Sequence, residues 1–128
     1  SLLREAAYSM QLRTRLQELH HLIARAIEKL YAHRIEERYV DLAFHYGQAE
    51  VNHKTREYLL KAADHARHNF QNELALEYYD KLLKQINHKK DSTLQIDVLT
   101  NKGCVLELVG EWENCKKVYR IFISRSIQ

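Results

Sequence analysis

The chain has 128 residues, of which 45% are hydrophobic and 29% charged, and a formal charge of +3. This is enough apolar content to bury a core, and the charge is too mild and too mixed to imply a nucleic-acid or membrane partner. It has no proline and only three glycines, where average usage would give about six and about nine, so turn-rich strand folds are disfavoured and helices joined by short polar loops are expected.

In chain order, Leu12, Leu16, Leu19, Ile23, Ile27 and Leu30 recur at three- and four-residue steps and predict one apolar helix face. Arg13, Arg15, Glu18, Arg25, Glu28 and Lys29 are assigned to its solvated side. A second stripe follows at Ile35, Tyr39, Leu42 and Tyr46, with Gly47 near its end, where a helix can stop without steric penalty. The third helix carries Leu59, Ala62, Ala63 and Ala66 after a cap at Asn52, and the fourth carries Ala75, Tyr79, Leu82 and Ile86 after Asn72. "NHKKDSTLQ" interrupts the pattern, and Ser92 with Gln95 reads as a capping box for the fifth helix. That helix carries Leu99, Gly103, Leu106 and Val109 and stops at Gly110. The sixth starts near Trp112, expected to pack at the hairpin turn, and carries Cys115, Tyr119 and Phe122.

Short connections predict antiparallel neighbours. The expectation is an all-α, single helical-repeat domain of about six helices, in hairpins at about 9–48, 53–87 and 92–126. Ser1 enters the helical pattern without a lead-in, which reads as a piece of a longer protein. No apolar run approaches a membrane span and no charged-then-apolar leader opens the sequence. Two cysteines, Cys104 and Cys115, do not make a disulfide framework, so a reducing cytoplasm is expected.

The later helices repeat one another. Leu59, Ala62, Ala63, Ala66, Ala75, Tyr79 and Leu82 align with Leu99, Lys102, Gly103, Leu106, Cys115, Tyr119 and Phe122 at a constant displacement (99 − 59 = 40). In both copies small residues fall where two helices of a hairpin come closest, and an aromatic follows four residues after the second. This order resembles the tetratricopeptide repeat. The resemblance implies a right-handed superhelix of antiparallel hairpins. The period exceeds the usual length of about 34 residues, and the excess fits in the polar stretch 87–92.

The first half resembles a region of large signal-transduction ATPases that are joined to adenylate or guanylate cyclase domains or to transcriptional-activator domains. The matches are Glu5, Ala6 and Tyr8, then Arg15, Leu19–His20, Ile23–Ala24 and Glu28. They continue with Leu42, Ala43, His45 and Tyr46, then Tyr58, Leu59, Leu60 and Ala62, so the likeness covers roughly 2–87. It implies a linker-and-sensor region beyond the ATPase core, acting through protein contacts. The chain itself has no phosphate-binding Gly-x-x-x-x-Gly-Lys-Ser/Thr loop. The alternative is a helical effector or sensor domain of a DNA-binding transcription regulator whose DNA reader lies elsewhere.

Sharper chemistry finds little support in the residues. Adjacent His20 and His21 point about 100° apart on a helix, and His65 with His68 lacks a third ligand, so no metal is expected. Tyr39, Tyr46, Tyr79 and Tyr119 fall on core stripes, which disfavours a base-stacking surface. Cys104 and Cys115 are read as free thiols on one hairpin. No nucleophile elbow, His-Glu-x-x-His or glycine cradle is present, so neither catalysis nor a cofactor is expected.

A protein partner is expected instead. In tetratricopeptide arrays the first helix of each hairpin lines a concave groove. The resemblance and the helical phase place Glu57, Leu60, Asp64 and Arg67 there from one repeat, and Asp97, Thr100, Cys104 and Glu107 from the next. The chaperone-binding subclass clamps a peptide carboxylate with lysines and asparagines. Asp64, Asp97 and Glu107 would repel one, so a partner of basic or mixed charge fits better. That partner is either an external protein or another domain of the parent chain. The ends of such a stack also expose apolar surface through which copies can associate.

Overall fold

The computed structural model describes every residue except His88 and Gln128, and the side chains of all of these except Trp112 and Glu113. The packing expected of Trp112 therefore lies outside the described side chains. Among the described residues the protein is all-α, with no strand. Helix α1 spans Leu2–Leu30, a 3-10 helix spans Ala32–Arg38, and α2 spans Tyr39–Gln48. Then come α3 (Asn52–His68), α4 (Asn72–Gln85), α5 (Ser92–Val109) and α6 (Trp112–Ser126). The chain forms two compact units, Ser1–Tyr58 and Leu59–Gln128, divided inside α3.

In the first unit α1 packs on α2, with only Ile23 and Ile27 of the expected stripe half-buried. Ala24 is the buried residue of α1, with His20, Ile27 and Glu28 beside it half-buried, while Leu12, Leu16, Leu19 and Leu30 stay exposed. Length explains the difference. At 1.5 Å per residue α1 runs about 44 Å and α2 only about 15 Å, so α2 covers a short part of α1. It does so with Leu42, Ala43 and Tyr46, all buried.

The second predicted stripe is also shorter than expected. Ile35 lies in the 3-10 helix, where Arg34 leaves helical backbone (φ −137°, ψ 40°), and α2 begins only at Tyr39. The Arg38 guanidinium sits 4.3 Å from the centre of the Tyr31 ring and donates to Asp41 at 3.1 Å. These contacts tie the end of the 3-10 helix back to α1 and on into α2.

Three of the connections share one geometry. After α2, Val51 N–H donates to Tyr46 C=O and Glu50 N–H to Gly47 C=O; after α3, Gln71 donates to Ala66 and Phe70 to Arg67. After α5, Glu111 donates to Leu106 and Gly110 to Glu107. Each pair of bonds satisfies carbonyls left open at a helix end, with the intervening residue in left-handed backbone. Those residues are Glu50 (φ 60°), Phe70 (φ 59°) and Gly110 (φ 77°). Gly47 lies near the end of α2, as expected, and the left-handed residue of this turn is Glu50.

Left-handed backbone costs a residue with a Cβ about 1–2 kcal/mol, and Phe70 is 80% exposed and so gives up little packing. Phe70→Gly should therefore raise the urea midpoint, with a gain in unfolding free energy of about 0.5–1 kcal/mol once the extra entropy of glycine in the unfolded chain is set against the relief. The reverse change, Gly110→Phe, should lower it.

The second unit buries Leu99, Leu106, Cys115 and Val118, packed with Leu76, Leu83, Tyr119 and Phe122. Fully buried Ala63 and Ala75 and buried Gly103 and Cys115 occupy the small positions of the two segments. A Cβ at Gly103 would come within 3.0 Å of the Tyr119 ring, so glycine lets that ring lie against the α5 backbone. The expected caps do not form as read. Asn52, Asn72 and Ser92 are first helical residues rather than caps. Gln95 is buried with its side-chain oxygen making no hydrogen bond, so no capping box closes. Asp91 instead accepts from the Asn87 N–H, holding the turn before α5.

Candidate functional site

The eight groove residues all lie on α3 and α5, with Glu57 in the first unit and the other seven in the second. They do not form a uniform surface. Asp97 and Cys104 are exposed, while Leu60, Asp64, Arg67 and Thr100 are half-buried. Thr100 spends its hydroxyl on Ile96 C=O at 2.8 Å, and Glu57 is exposed with Lys54 at 3.4 Å.

Asp64 and Arg67 serve the hairpin itself. The buried Tyr79 hydroxyl donates to Asp64 Oδ1 at 2.5 Å and accepts from Arg67 Nε at 3.2 Å. Burial, and then the Asp64 bond, push the Tyr79 hydroxyl far above its usual range, so it remains a donor. One repeat length on, Tyr119 donates to Glu107 Oε1 at 3.0 Å. Burial and that bond push Tyr119 up to about 12. In both hairpins a tyrosine of the second helix reaches an acid of the first. The acids are offset, though: Asp64 corresponds to Cys104, and Arg67 to Glu107.

The first unit holds a polar centre that the sequence reading missed. Glu28, assigned to solvent, instead accepts from the hydroxyls of Tyr46 and Tyr58 and from Lys54 Nζ at 3.3 Å. The Tyr46 and Tyr58 rings stack with centroids 5.9 Å apart and planes 3° from parallel, and Lys54 sits 5.9 and 5.7 Å from their centres. Burial alone would raise the Glu28 carboxyl, but the two hydroxyls and Lys54 outweigh it and hold it below its ordinary value. The available clue was spacing, since Glu28 lies one turn beyond buried Ala24.

His20 and His45 face each other with Nδ1 atoms 2.9 Å apart. One nitrogen must donate and the other accept, so this contact holds one proton. Burial, and then the neighbouring His20, lower His45. His21 packs edge-on against Tyr46. His65 and His68 are engaged by their own helix, through Asn69 at 3.1 Å and Asp64 C=O at 2.7 Å. Among the described residues no three His, Cys, Asp or Glu side chains converge as metal ligands. Cys104 is an exposed free thiol, and the buried Cys115 thiol points to Gly103 C=O at 3.8 Å. No described helix is long and apolar enough to cross a membrane.

No protein-family model, no curated protein and no solved structure matches the chain.

Proposed function

We propose that the chain is a non-catalytic protein-interaction and regulatory segment of a cytoplasmic, multidomain signalling ATPase, built from tetratricopeptide-like hairpins in a right-handed superhelix. The observation carrying this reading is the recurrence of one hairpin design at a displacement of 40 residues. Thr55 and Gln95, Tyr58 and Val98, and Leu59 and Leu99 are buried in register. Phe70 and Gly110 occupy the same left-handed turn position, and Tyr79 and Tyr119 reach back to an acid on the preceding helix. Repeated hairpins leave their first helices free to line a common binding face.

On this reading Asp64, Arg67 and Glu107 shape the groove through their tyrosines, and Asp97 and Cys104 meet the partner. That partner is a protein segment of basic or mixed charge, from another domain of the parent chain or from a separate protein. Nucleic acid and membrane are not the targets.

Cys104 provides the test, because the other cysteine is buried. A benzophenone maleimide placed on Cys104 and irradiated in native cytosol should join a discrete protein segment rich in Lys or Arg. Asp97→Lys should reduce that product. Absence of any product, or an identical set from Asp97→Lys, would overturn the groove assignment.

A further inference from the structure

The exposed leucines of α1 follow a stricter rule than amphipathicity requires. Leu12, Leu16, Leu19, Ile23, Ala26 and Leu30 are separated by 4, 3, 4, 3 and 4 residues, the alternation of a coiled-coil seam. This seam spans about 27 Å of helix. Leu12, Leu16, Leu19 and Leu30 are between 47% and 76% exposed. Within the first unit α2 meets the neighbouring face, the one carrying Ala24 and Glu28, so the seam is not what joins α1 to α2. Beside Leu12 and Leu16 an open cleft of about 520 Å³ runs between α1 and the end of α2, floored in part by His20 and Gly47.

The charges flanking the seam decide its occupant. In coiled-coil terms the flanking positions hold Arg13, His20 and Ile27 on one side and Arg15, Leu22 and Lys29 on the other, with no carboxylate among them. Arg13 is already paired with Glu50 at 2.6 Å on the side facing α2. Arg15 and Lys29 are exposed on the open side. A second copy laid parallel on the seam would set Arg15 against His20 of its partner; laid antiparallel, it would set Arg15 against Lys29. The antiparallel arrangement opposes two like charges, and neither arrangement gives Arg15 or Lys29 a carboxylate, which disfavours self-pairing.

We propose that this seam is a docking site for an amphipathic helix of another protein segment, with leucine-type residues along its core and Asp or Glu at its flanks. Apolar knobs supply the contact area, and the acidic flanks fix partner and orientation. The seam uses none of the eight groove residues on α3 and α5, and it stands whether or not the repeat reading does.

The test uses the whole chain and two synthetic three-heptad peptides with Leu at every core position. One carries Glu and the other Lys at the flanking positions, and binding is followed by fluorescence anisotropy. The Glu peptide should bind at least about tenfold more tightly than the Lys peptide, and added salt should narrow the gap. Leu16→Asn/Leu19→Asn should abolish binding while leaving the helical circular dichroism unchanged, since both leucines are exposed. Arg15→Glu/Lys29→Glu should reverse the peptide preference. Equal binding of both peptides, binding of neither, or binding that survives the leucine changes would overturn the proposal. So would a concentration-dependent dimer that Leu16→Asn/Leu19→Asn disperses, because the occupant would then be a second copy.

Discussion

Replacing Glu28 by alanine is expected to lower the stability of the first unit by about 2–4 kcal/mol in urea unfolding. The change removes the acceptor that Tyr46, Tyr58 and Lys54 share. Tyr46 and Tyr58 are only 2% and 3% exposed, so their hydroxyls cannot turn to water. Lys54 loses its closer carboxylate partner and keeps Glu57. The upper part of the range is moderated by solvent, because the Glu28 side chain is itself 25% exposed. Glu28→Gln should cost less, since the amide keeps one acceptor oxygen for a tyrosine.

Acid should act on the same centre. The folded Glu28 carboxyl lies below its ordinary value of 4.5, so at intermediate pH the unfolded chain binds more protons than the folded one. The stabilisation is therefore complete above pH 4.5 and is lost as pH falls through the lower, folded value. Glu28→Gln should flatten that acid limb. An unchanged acid limb in the variant would assign it to other carboxylates.

The second large effect is expected at Tyr79. Its ring is fully buried in the second unit, and truncation to alanine should cost about 3–5 kcal/mol through the cavity left behind. Tyr79→Phe keeps the ring and removes only the hydroxyl, at about 1 kcal/mol. The hydroxyl change should also release Asp64 and Arg67, whose side chains otherwise lie 4.0 Å apart around that oxygen. Tyr119→Phe should be milder still, because Tyr119 is only half-buried. A Tyr79→Phe loss as large as that of Tyr79→Ala would mean that the hydroxyl network, and not ring packing, holds the hairpin.

Periodicity carried most of the fold. Leu42, Tyr46, Ala63, Ala75, Tyr79, Leu82, Leu99 and Leu106 are buried, as their stripes predicted, because a helix that alternates apolar and polar faces must bury the apolar one against a neighbour. The leucines of α1 obey the same pattern and remain exposed. A stripe reports that a face seeks a partner, and nothing in it says that α2 is too short to cover that face. Glu28 was read outward for a related reason. A carboxylate belongs inside only when donors from several segments meet it, and Tyr46, Lys54 and Tyr58 are distant in sequence. Glu50 and Phe70 hid two left-handed turns because neither is the glycine that usually marks one. Of the groove residues, their places on α3 and α5 were legible. The engagement of Asp64, Arg67 and Glu107 by tyrosines was not, since it depends on how closely two helices approach.

Hydrogen–deuterium exchange on the protein, free and joined through Cys104 to a captured protein segment, tests the proposed α3 and α5 groove most directly. The account predicts added protection concentrated in residues 60–67 and 97–107, with α6 little changed. Protection confined to other helices, or none at all, would contradict it.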